Sequence, residues 1–239
     1  SGQQAVSYLR NEGAVSRVVS SRVSQSAVTE ASRAAESARS DVVSASSELS
    51  SALVEAMSRT TSRYQSSNRT SGQSISSVEE LGKSADSLRT ISEQVAKSTG
   101  LSSSQVSQIA FQLSGGIGTP GISPIRANAS GNAGKSYSSN LTEQQQKVAS
   151  ELTNDQLRQF RSFADRATRD QTFASALGAE SREGRELASR LSTATTRVDS
   201  AQSVFAERQA VAKRLSTAYE SGEALSIDLA QLPANSDFM

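Results

Sequence analysis

Cysteine, histidine and tryptophan are all missing from this 239-residue chain, and proline occurs only three times. Without cysteine there is no disulfide framework and no thiolate metal site. That lack fits cytosol or periplasm better than a eukaryotic secreted module. Without histidine the commonest general base and metal ligand is gone, and with it any ordinary serine triad. Aromatics are scarce at 4%, and apolar residues make up 35%. Such a supply argues against a thick core and predicts thin helix-on-helix seams of Ala, Val and Leu. An excess of one charge is lacking too, because 25 basic side chains face 24 acidic ones. The chain therefore offers no basic footprint for nucleic acid or anionic membrane. No apolar run approaches the roughly 20 residues of a membrane span, and no signal peptide is visible. Ser1-Gly2 has the look of a cloning scar, so the expectation is an excised soluble piece of something larger.

What is abundant is serine, about a fifth of the chain and densest before residue 120. Serine-rich composition favours disorder when too few apolar residues accompany it. Here the apolar residues keep helical spacing, which places most serines on solvent-facing helix positions. From Leu187 to Tyr219 the series Leu187, Leu191, Ala194, Val198, Ala201, Phe205, Arg208, Ala212, Leu215 and Tyr219 steps by four and three. This is a heptad seam with one polar member, Arg208, on a helix roughly 50 Å long. A first long helix is predicted from about Gln3 to Gln65, seamed by Val28, Ala31, Ala35, Ala38, Val42, Ala45, Leu49, Ala52 and Ala56. Gly13 marks a kink or frayed start there. Glu55 and Arg59 stand in the favourable i,i+4 order.

Asn68-Arg69-Thr70-Ser71-Gly72 reads as a turn, and a second helix from about Ser74 to Ser98 carries Ile75, Val78, Leu81, Ala85, Leu88, Ile91 and Val95. A connection this short favours an antiparallel hairpin. Thr99-Gly100 stops that helix, and Ser102 caps a short third one through Leu113. Ser114 to Asn140 is rich in glycine, with Pro120 and Pro124, and reads as a loop or a linker. Helix returns near Leu141, with Thr153 available to cap a fresh segment. Gly178 to Gly184 forms a second turn, and Ser221-Gly222 ends the last helix. Ile227, Leu229, Leu232 and Phe238 make the tail too apolar to hang free, and it is expected to pack back on the helices. The expected fold is all-α, an elongated bundle of long antiparallel helices with one Gly/Pro-rich loop or linker. The expected divisions are 1–113, 114–140 and 141–239.

Motifs with chemical meaning are few. Ala129 to Ser136 fits the loose phosphate-loop pattern ending in Gly134-Lys135-Ser136. A working loop needs a buried strand before it and a strand ending in Asp to hold Mg²⁺, and neither is present. The match is read as chance. Glu79-Glu80 with Lys83 one turn on reads as a solvated helix face. Sequons begin at Asn68, Asn128 and Asn140, as serine abundance alone produces. No catalytic, cofactor-binding or metal-ligating residue is assigned, and no small-molecule ligand or cofactor is expected.

One stretch after another resembles a known family. The segment Thr99-Gly100-Leu101-Ser102-Ser103-Ser104-Gln105 begins it, followed by Gly115-Gly116-Ile117-Gly118 and by Ala127 to Asn132. The long helix after Asp170-Gln171-Thr172-Phe173 and the Gly222 turn with its apolar tail complete it. Together these resemble the C-terminal periplasmic region of TraG-type proteins of conjugative plasmids, over most of the chain and by order and texture. The resemblance implies the soluble part of an inner-membrane protein belonging to a type IV secretion system. In that family the region acts in mating-pair stabilisation and recognises an entry-exclusion protein in the recipient's inner membrane. Other mating-pair apparatus proteins are further implied partners.

The expectation is thus a non-enzymatic interaction module in the periplasm, attached to the membrane only through a missing N-terminal part. Partner contact is assigned to the first hairpin's tip, Arg63, Tyr64, Asn68 and Arg69. A chemoreceptor-like signalling hairpin is the alternative, but it demands one continuous hairpin with a matched return arm. A structural coiled-coil component of a phage tail or secretion apparatus is another, for which an extended oligomer is the discriminator.

Overall fold

The computed structural model describes residues 5–11, 14–70, 76–115, 141–169, 173, 177–178, 181–222 and 224–228, and leaves the side chains of the strands, of 67–70 and of 76–78 undescribed. Six helices make its body, among the described residues: α1 (Gln25–Thr70), α2 (Ser76–Thr99), α3 (Ser103–Leu113), α4 (Glu143–Glu151), α5 (Asn154–Arg169) and α6 (Arg182–Ser221). The helical class read from the seams holds. By contact the chain divides into two units, Arg39–Ser203 and Ser1–Ala38 with Val204–Met239.

The helices begin and end where short-range chemistry says they should. Ser102 accepts from Gln105 N while the Gln105 side chain returns to the Ser102 backbone, a reciprocal cap at the start of α3. Thr142 and Gln145 repeat the device at α4, and Thr153 with Gln156 at α5. Gly100 ends α2 and Gly222 ends α6, both in the left-handed region. Serine and threonine survive inside the helices because their hydroxyls donate to the carbonyl one turn back. Ser62 to Ser58 O, Thr90 to Asp86 O and Thr195 to Leu191 O are examples.

In the unit 39–203, residues from all six helices share one hydrophobic core. It draws on both sides of the 114–140 stretch. Its centre is aromatic, which the low aromatic content concealed. Four of the six phenylalanines are buried. Phe111 of α3 meets Phe160 of α5 edge to face at 5.0 Å, and Phe163 meets Phe173 at 5.5 Å. Phe111 and Phe163 help turn a set of thin seams into a thicker core. Around it α2 packs on α3, α4 and α5, and α3 packs on α4 and α5.

Serine is not confined to the outside. Ser46, Ser50, Ser92 and Ser107 are buried. Ser92 Oγ donates to Leu88 O at 2.9 Å and accepts from Ser107 Oγ at 2.7 Å, so two helices meet through satisfied hydroxyls. Thr60 and Thr61 are different, since each buries a hydroxyl with no partner among the described residues.

The other unit departs from the sequence reading. Instead of helix from Gln3, residues Ala5–Asn11 (β1) and Ala14–Arg22 (β2) are extended and pair antiparallel, with Asn11 opposite Ala14. Ala224–Asp228 (β3) pairs antiparallel with β2, with Ile227 opposite Val19. Val15, Val18 and Val19 favour extended backbone, and Gly13, read as a kink or frayed helix start, lies outside the described residues. Ile227 thus joins a sheet, where the sequence reading packed it on helices. Leu229, Leu232 and Phe238 lie outside the described residues. On α6 the seam is buried at Leu187, Leu191, Ala194 and Val198, half-buried at Phe205, Ala212 and Leu215, and exposed at Arg208 and Tyr219.

Candidate interaction surface

The tip residues assigned to partner contact are carried by α1, which runs on to Thr70 rather than turning at Asn68. Asn68 and Arg69 are therefore helical, and their side chains lie outside the described residues. Arg63 and Tyr64 are half-buried, and Arg63 is engaged in interactions of its own. Tyr64 packs on Gly82 of α2, and a methyl group at Gly82 would overlap the Tyr64 Cβ and ring. Glycine permits this approach because nothing projects from it. One residue on, Gln65 Nε2 donates to Asp86 Oδ1 at 3.3 Å. Tyr64 is thus a packing anchor between α1 and α2, with only part of its surface left for a partner.

A second structured feature was not visible in the sequence. An open trough of about 560 Å³ lies between Ser44, Ser47 and Ser51 of α1, Gln108 of α3, and Ser189 and Thr193 of α6. A neighbouring hollow of about 460 Å³ shares Ser51 and Gln108 and continues past Ser58 to Ser62 on α1. Cross-helix ion pairs edge the trough. Glu55 accepts from Arg190 at 2.6 Å, and Glu48 accepts from Arg197 at 2.6 Å. As numbers fall along α1 they rise along α6, so these two helices run antiparallel here. The pairs neutralise the rim, leaving a surface of hydroxyls and amides. Small-molecule sites are mostly apolar and enclosed, and this trough is neither.

At one end Arg59 fastens α1 to the start of α6. Its Nε donates to Leu177 O and its Nη2 to Ser181 Oγ, both at 2.6 Å, with Glu183 at 3.7 Å. Ser181 in turn accepts from Gly184 N, capping α6. Gly184 lies so close to the Gly178 carbonyl that a side chain there would overlap it. The pair Glu55–Arg59, expected within a single helix, gives way to ties between helices: Glu55 to Arg190 and Arg59 to the α6 start, while Arg166 reaches Glu80 of α2 at 2.8 Å. Sequence spacing finds local pairs and is blind to a partner helix.

The electrostatics are those of a solvated scaffold. Lys83 is held above its ordinary value by its hydrogen bond to Glu79, and Arg89 above its own by Asp86. Glu143 is held below its ordinary value by Lys147. Glu79 and Glu80, read as a solvated face, are both ion-paired, to Lys83 and Arg166. Among the described residues no cluster of three or more metal-ligating side chains occurs, and no helix is long and apolar enough to cross a membrane. The phosphate-loop-like Ala129–Ser136 lies outside the described residues, as do Asn128 and Asn140. No family model, curated protein or solved structure matches this chain.

Proposed function

We propose that this chain is a non-enzymatic interaction module of a conjugative type IV secretion system, placed in the periplasm as the soluble part of a TraG-type inner-membrane protein. In this reading it stabilises mating pairs and recognises an entry-exclusion protein in the recipient's inner membrane. Support comes from the order of the resembling segments, Thr99–Gln105, Gly115–Gly118, Ala127–Asn132 and the long C-terminal helix. The observation that carries the reading is physical: a helical scaffold cross-braced by ion pairs presents neutral, hydroxyl-rich surfaces rather than an enclosed cavity. Such surfaces suit recognition between macromolecules, where polar contacts at a rim set specificity more than raw affinity. Long antiparallel helices in an elongated bundle would present these surfaces away from the membrane.

Exchanging the tip, Arg63 to Arg69, between two exclusion groups tests the reading in a mating assay. The expected outcome is that exclusion follows the transplanted tip. Unchanged exclusion removes the tip from the proposal. Full transfer with the whole chain deleted removes the function.

A further inference from the structure

We draw no further inference here: the strongest candidate, the open polar trough lined by Ser44, Ser47 and Ser51 of α1 between α3 and α6, rests on a stripe of small hydroxyl residues, and nothing in the structure shows what covers it.

Discussion

At the residue scale, two kinds of buried side chain make opposite predictions. Phe160 is fully buried and stacked edge to face on Phe111. Phe160→Ala removes a ring and leaves a cavity, so urea unfolding followed by circular dichroism should show a loss of about 3–5 kcal/mol. Thr60 buries a hydroxyl with no partner among the described residues. Replacing it with the isosteric Val removes a desolvated polar group and keeps the volume. Thr60→Val should therefore stabilise the protein by about 1 kcal/mol in the same titration. A loss instead would show that the hydroxyl is satisfied. Tyr64 and Gly82 form a third case, because each is shaped by the other. Gly82→Ala should destabilise, and Tyr64→Gly, which removes the Cβ as well as the ring, should relieve most of that loss in a double-mutant cycle.

At the scale of elements, the starts and stops were legible because they depend on neighbours in sequence. Ser102 capping α3, Gly100 ending α2 and Gly222 ending α6 are local chemistry that a reader of the chain finds unaided. The partner of Arg59 was not legible, since Leu177 and Ser181 come near it only when α1 and the start of α6 meet. Nor were β1 and β2, because Val15 and Val18 stand three apart, a helix spacing rather than the alternation of a strand, and the pairing with β1 and β3 is not written in that spacing. Of the surface, the tip was assigned from its expected place in a hairpin, whereas the trough depends on which helices flank α1. Arg59→Ala should cost about 1.5–3 kcal/mol, the range for hydrogen bonds from a charged donor, and should speed amide exchange around Ser181–Gly184.

Helix α4 offers a pH test. Lys147 lowers the pKa of Glu143, so the pair stabilises above the ordinary carboxylate value of 4.5, and the benefit vanishes as pH falls through the lowered one. Glu143→Gln should melt slightly below the parent at neutral pH, and the two curves should converge in acid.

At the scale of the whole molecule, Leu191 decides between two accounts of the long C-terminal seam. It is 2% exposed and belongs to the shared core of 39–203. Leu191→Asp should abolish the cooperative helical melt, because an unpaired charge is driven into that core. Folded monomers from this variant would instead identify the seam as an interface between chains. Light scattering on the same samples reads the difference. The hydroxyls that fold back onto their own helix carbonyls have a consequence for the history of such a chain. At exposed helical positions like Ser62 and Thr90, exchange among Ser, Thr and Ala costs only a few tenths of a kcal/mol. Mutation can redraw the outward pattern of donors and methyl groups while the buried leucines and phenylalanines stand still. In the proposed reading the scaffold is a page that can be rewritten many times, so what it recognises can change without its helices having to refold.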